Sequence, residues 1–211
     1  MTIQVRDTLQ VKFGKIDQAV SLFTGSHSFT PFNDPALHLN VLTDISGPMY
    51  TLVVEVVVPG LGEFERVREQ SFQQPGYAEW FQQFQLYVEG GKREYYTVEG
   101  SYASWTRPGL IVVREIYRTY KWQIETAINL LKRYGGLLVD RGVGKIPRIL
   151  TDASGPMFQA VIEIETESMS AWETQRRAVY QQVEFQVWFN QMLTAVEAGT
   201  HDFYRVEYTG G

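Results

Sequence analysis

Arg6, Glu55 and Glu99 stand on strand-like segments and return 108 residues later as Arg114, Glu163 and Glu207. An arginine flanked by two carboxylates can orient a small ligand inside an apolar-walled pocket. It can equally form a structural ion-pair cluster that satisfies its own buried charges. Duplication favours the structural role, since one active site rarely needs two copies of each group. His38 and Glu55 are the groups that could move a proton, and His38 could also act as a proximal haem ligand. His38 shares strand parity with Asn40, Leu42 and Asp44. The three histidines, His27, His38 and His201, fall opposite Gly135, Ile146 and Arg93 at the 108-residue offset, so none belongs to the repeated framework. Duplicated glutamates without paired histidines are a poor metal donor set. The sequence therefore predicts no metal and no cofactor.

Several other chemistries are excluded directly. Cysteine is absent, which removes disulfides and thiolates. No Gly-x-Ser-x-Gly turn holds a nucleophile. Gly142-Val143-Gly144-Lys145 fails the phosphate-loop spacing, because Val139 occupies the first glycine position and Ile146 the Ser/Thr position. A net charge of −5 and a pI near 5.3 give no footprint for a phosphate backbone, so nucleic acid is not an expected partner. The cluster Tyr117, Arg118, Tyr120, Lys121 and Trp122 accordingly reads as packing and edge protection. Met1 to Asp7 lacks the basic and apolar regions of a signal peptide, and no apolar run approaches 18 residues. These features predict a soluble cytoplasmic protein without a membrane partner. The chain has 211 residues, 44% hydrophobic, and at that size folding hides roughly 70% of the unfolded surface.

The elements that must position these groups also occur twice. Leu42-Thr43-Asp44-Ile45-Ser46-Gly47-Pro48-Met49-Tyr50 returns as Leu150-Thr151-Asp152-Ala153-Ser154-Gly155-Pro156-Met157-Phe158. Strand alternation over Ile3–Val11 is matched by Ile111–Thr119. Ile16, Ala19, Val20 and Phe23 mark one helix face, answered by Ile124, Ala127, Ile128 and Leu131. Second strands over Leu39–Asp44 and Ile149–Asp152 pass through the Ser-Gly-Pro turn into third strands, Met49–Val58 and Met157–Thr166. A second helical region carries Trp80, Phe81, Phe84 and Val88, then Trp188, Phe189, Met192 and Val196, with Gly90-Gly91 or Gly199 as its stop. Pro75-Gly76 predicts a break in the first copy, while Val183-Glu184 predicts a continuous helix in the second. Fourth strands close each copy at Tyr95–Glu99 and Phe203–Glu207.

The order β-α-β-β-α-β, twice, predicts two ferredoxin-like repeats, over 1–100 and 110–211, joined by a linker at 101–109. In the third strand Tyr50, Leu52, Val54 and Val56 suit packing on helices, whereas Met49, Thr51, Val53 and Glu55 form a mixed face that still needs cover. The simplest cover is the same face of the other copy, which makes an α+β fold with two antiparallel sheets facing each other as an intrachain pseudo-dimeric barrel. Such a chain needs no second copy and is expected to be a monomer, with further association open.

On these residues the chain resembles the dimeric α+β barrel superfamily. The segment Arg114-Glu115-Ile116-Tyr117-Arg118-Thr119-Tyr120 is also similar to the opening strand of NIPSNAP-like members, although Tyr-Lys-Trp replaces their Pro-Gly step. The resemblance implies either of two functions. One is a barrel that binds a small, partly apolar organic molecule or acts through protein association. The other is a cofactor-independent monooxygenase or isomerase acting on an aromatic or polyketide-like substrate, with His38 or Glu55 moving a proton. A hollow interior above about 300 Å³ would favour the enzyme, and a filled one the first function.

Overall fold

A computed structural model describes residues 1–25, 37–100, 102–142 and 147–210. His27, Ser101 and the loop residues 143–146 lie outside the described residues. Unit one comprises β1 (Ile3–Val11), α1 (Ile16–Thr24), β2 (His38–Asp44), β3 (Thr51–Val58), α2 (Leu61–Phe72), α3 (Tyr77–Tyr87) and β4 (Val88–Val98). Unit two repeats the order with β5 (Ile111–Thr119), α4 (Ile124–Val139), β6 (Arg148–Asp152), β7 (Gln159–Thr166), α5 (Met169–Tyr180), α6 (Val183–Ala195) and β8 (Val196–Gly210). Among the described residues, no helix is long and apolar enough to cross a membrane.

Period two sends alternate residues of every strand to opposite faces, and both faces are buried here. Leu52, Val54 and Val56 pack outward against Ala19, Leu22, Phe23, Phe64 and Val67. Val53 points inward to meet Leu42, Leu110, Val112, Tyr204 and Val206. Unit two does the same: Ala160, Ile162 and Ile164 face the helices, and Val161 joins Leu150, Tyr96 and Val98 inside. Each such aliphatic side chain contributes about 1.5–3 kcal/mol on leaving water. The eight strands close into one antiparallel barrel in the order β1-β3-β2-β8-β5-β7-β6-β4, so the uncovered faces of the two sheets shelter each other.

The repeated Asp-x-Ser-Gly-Pro string does two jobs. Asp44 Oδ1 accepts from the Thr51 N–H at 2.7 Å, and Asp152 Oδ1 from the Gln159 N–H at 2.6 Å, closing each β-turn region. Gly47 and Gly155 adopt φ of +89° and +87°, which glycine reaches without steric penalty. The serines cross to the other unit: the Ser46 hydroxyl accepts from the Phe203 N–H and the Ser154 hydroxyl from the Tyr95 N–H, both at 2.9 Å. Each turn thus seals one of the two junctions, β2 with β8 and β4 with β6.

Four local expectations need correction. Val88 and Val196 begin strands rather than ending helices, and β4 and β8 are much longer than predicted. Gly91 is no helix stop: it lies in β4, where a Cβ would stand 2.7 Å from the Thr8 carbonyl, so it permits close strand approach. The second copy is also broken, between α5 and α6, by an extended Gln182 (φ −86°, ψ 144°). Its cause is phase: Val179 and Phe185 are both buried but six residues apart, which a continuous helix would place about 120° apart around its axis. The third strands begin at Thr51 and Gln159 instead of Met49 and Met157, because Tyr50 and Phe158 take left-handed backbone at φ 61° and 64°.

Candidate functional site: a charged core and two unequal clefts

Inside the barrel the structure brings together Arg6, Glu55, Arg114 and Glu163. Antiparallel register sets Arg6 opposite Glu55 and Arg114 opposite Glu163. Arg6 pairs with Glu55 and Arg114 with Glu163, and Arg6 Nη1 lies 3.6 Å from Glu163 as well. The rings cross over between units, since the Arg6 guanidinium is 4.9 Å from the Tyr204 centroid and Arg114 is 4.8 Å from Tyr96.

Sequence reasoning missed Arg148, whose counterpart in unit one is Asn40. Its Nη1 lies 3.4 Å from Glu55 and 3.7 Å from Glu163, and its Nε donates to the Ala103 carbonyl at 2.6 Å. The guanidinium is 4.5 Å from the Tyr102 centroid and 3.3 Å from that of Trp105, which is buried. The segment between the units therefore packs into the barrel. The signal for Arg148 was available as a charge on the inward parity of β6, but β6 is only five residues long. Burial raises the Glu55 carboxyl above its ordinary range, reinforced by Glu163, despite three nearby arginines. Burial pushes Glu163 up too, but Arg114, Arg6 and Arg148 together outweigh it and hold its carboxyl below that range.

Glu99 and Glu207 do not join the cluster. Tyr96 and Val98 fill the interior from β4, and Tyr204 and Val206 from β8, which turns Glu99 and Glu207 the other way. Glu99 accepts from Thr151 Oγ1 and Glu207 from Thr43 Oγ1, each at 2.7 Å. The carboxylates in register with the arginines are Glu94, opposite Arg6, and Asp202, opposite Arg114. His38 is half-buried at the start of β2, with Nδ1 3.1 Å from Ser104 Oγ and its ring 5.7 Å from that of Tyr102. Among the described clefts, none is lined by Arg6, Glu55, Arg114, Arg148, Glu163 or His38.

Two described clefts lie instead between helices and sheet, at equivalent places in the two units. In unit one a cleft of about 540 Å³ is lined by Phe72, Tyr77, Trp80, Phe81 and Phe84, with Arg68, Lys92 and Arg93 around it. Tyr77 stacks on Phe81 at 5.9 Å and Trp80 on Phe84 at 5.3 Å, the i, i+4 neighbours of α3. Trp80 Nε1 donates to the Leu22 carbonyl at 3.1 Å, which fixes its ring. Arg93 grips Asp7 through two bonds of 2.6 Å, and these hydrogen bonds raise its basicity further.

The unit-two cleft is half that size, about 270 Å³. Trp188 Nε1 donates to the Leu130 carbonyl at 2.7 Å, as Trp80 does to Leu22. Tyr117 replaces Leu9, and Tyr134 stacks on Trp188 at 4.5 Å. Glu115 replaces Asp7 and His201 replaces Arg93, again directly across two paired strands. Glu115 is buried and accepts from the Tyr117 hydroxyl at 2.6 Å. Burial raises its carboxyl above the usual range, while the Tyr117 hydrogen bond, His201 and Arg176 pull in the other direction. Burial and the Glu115 charge push the Tyr117 phenol well up. Neither cleft was visible in the sequence, because each joins helix and strand residues far apart in the chain.

No protein-family model and no curated relative matches this sequence. Solved structures do match. A proposed monooxygenase from Fusobacterium nucleatum superposes over 100% of this chain and 94% of its own, with 10% identity and a TM-score of 0.72. An anthrone oxidase-like protein matches 99% of this chain and 92% of its own at 10% identity, TM-score 0.69. The chain has the dimeric α+β barrel fold. A haem-binding protein from Thermus thermophilus shares it, covering 97% of this chain and 90% of its own at 10% identity, TM-score 0.59. The fold thus hosts several activities, and function has to be argued from the clefts.

Proposed function

We propose that the chain binds a small aromatic organic molecule bearing an acidic group in the unit-one cleft. The observation that carries this reading is the meeting of five aromatic side chains in one 540 Å³ cleft whose charged lining is Arg68, Lys92 and Arg93 against Asp7 and Glu89. Stacked rings offer flat apolar walls; Asp7 holds Arg93 and Glu94 holds Lys92, so Arg68, set over the Phe72 ring, is the cation that would meet an acidic group. The similarity to an anthrone oxidase-like protein supports a polycyclic ligand. Titration with hydroxynaphthoate, read by quenching of tryptophan fluorescence, tests it: binding should saturate, and Trp80→Ala should weaken it at least tenfold. Equal binding by Trp80→Ala would remove the proposal. The barrel closes within one chain, which supports action as a monomer, testable by light scattering.

A second reading rests on the unit-two cleft. Glu115, Tyr117 and His201 form a buried acid, a phenol and an imidazole beside aromatic walls, suited to taking a proton from an activated carbon or hydroxyl. That is the first step needed by a cofactor-independent monooxygenase or isomerase. His38 and Glu55 line neither cleft, so Glu115 takes the role considered for them. Haem fits poorly: among the residues lining the two clefts, the histidine stands in the smaller one. Oxygen uptake with an anthrone should fall sharply in Glu115→Gln if this reading holds.

A further inference from the structure

The charge count inside the barrel does not balance. Arg6, Arg114 and Arg148 are each at most 3% exposed, and the two carboxylates that pair with them, Glu55 and Glu163, are fully buried. A twofold-symmetric core would hold two cations and two anions; Arg148, standing where unit one has Asn40, adds a third cation. An uncompensated charge in a medium of low dielectric constant is among the most costly features a protein can retain. Two further acids stand in register with the arginines, buried Glu94 with Arg6 and Asp202 with Arg114, and neither makes an ion pair with them. Glu94 pairs with Lys92 at 3.0 Å, and Asp202 lies beside Gly47, only partly buried.

Hydrogen bonding is unbalanced in the same direction. Nη2 of Arg6, of Arg114 and of Arg148 is buried without a partner, as are Gln4 Nε2 and Trp105 Nε1. Against these donors stand the unpartnered acceptors Gln4 Oε1, Asn40 Oδ1 and Glu163 Oε2. Each Nη2 carries two hydrogens and each of these oxygens accepts two bonds, so the unpartnered donor hydrogens still outnumber the acceptor sites. Arg148 is nonetheless held deliberately, by the Ala103 carbonyl and between the rings of Tyr102 and Trp105. A cation fixed on several sides serves something that needs it.

We infer that the barrel core binds a small monovalent anion, of chloride or bromide size, among the guanidiniums of Arg6, Arg114 and Arg148. Such an ion supplies the missing negative charge and accepts from several donors at once. Water would satisfy donors and acceptors but leave the charge. The role is structural, locking the two units and their connecting segment together, and is independent of whatever the outer clefts bind.

The test exchanges the purified protein into gluconate buffer and titrates sodium bromide at constant ionic strength while following thermal unfolding. A saturable rise in Tm, specific to bromide or chloride and lost in Arg148→Asn, is the expected result. Identical melting in gluconate and bromide, or a rise that persists in Arg148→Asn, overturns the inference. Wild-type crystals grown in bromide give an independent answer should the variant fail to fold. Anomalous density beside the three arginines supports the site, whereas ordered water alone at that position refutes it.

Discussion

The two outer clefts are built from equivalent elements yet have become different sites. Both keep a tryptophan whose indole N–H is tied to a helix carbonyl, Trp80 to Leu22 and Trp188 to Leu130. Around that shared post, unit one keeps an ion pair, Asp7 with Arg93, and leaves 540 Å³ open. Unit two replaces Leu9 with Tyr117 and Arg93 with His201, sinks an acid beneath the phenol and keeps 270 Å³. The lesson is that residues repeated between the units hold the common architecture, while unrepeated residues on the same scaffold carry the chemistry that differs. The core obeys it too: the Arg and Glu pairs repeat, while the unrepeated Arg148 reaches both carboxylates and Arg6 reaches across to Glu163 at 3.6 Å.

The largest effect should come from the tryptophans. Trp188 is fully enclosed by Tyr134, Phe185 and Phe189, so Trp188→Ala should cost about 3–5 kcal/mol in urea unfolding. Trp80 borders an open cleft and is only half-buried, so Trp80→Ala should cost clearly less. Equal losses would break the distinction between a narrow and an open cleft. Next, Glu163→Gln removes the carboxylate that all three arginines favour and should cost about 3–5 kcal/mol at neutral pH. Glu55→Gln mimics the neutral form that burial already promotes and should cost less. Equal losses would show that the extra reach of Arg6 to Glu163 does not distinguish the two carboxylates.

The pH dependence sharpens the same contrasts. Glu163 is held below its ordinary range, so its contribution is present above that range and is lost as pH falls through its lowered value. Glu55 and Glu115 are raised, so the folded state binds protons that the unfolded chain has released. Their contribution is present at and below the ordinary carboxylate range and is lost as pH rises through their raised values. Glu115→Gln should therefore flatten part of the decline on the alkaline side in a melting series, leaving the acid side unchanged. A variant with the wild-type profile on both sides would show that Glu115 titrates normally. The smallest effects belong to the junction serines. Ser46→Ala and Ser154→Ala should each cost about 1 kcal/mol, and by equal amounts, since both accept one strand N–H at 2.9 Å.

Repetition and strand parity in the sequence determined the two units, the order of their elements, the closure of one sheet on the other, and the inward direction of Arg6, Glu55, Arg114 and Glu163. Those are local or periodic properties, readable wherever a strand is long and regular. Parity failed at Glu99 and Glu207 because Tyr95-Tyr96 and Phe203-Tyr204 put an aromatic ring on each face, and only pairing with β1 and β5 sends Tyr96 and Tyr204 inward. Only the tertiary structure decided that Arg148 reaches both carboxylates, that Tyr102 and Trp105 pack into the barrel, and that Asp7 or Glu115 shares a cleft with aromatic residues some 70 positions away. Such neighbours are set by barrel closure and by the reach of long side chains, and neither leaves a period in the sequence.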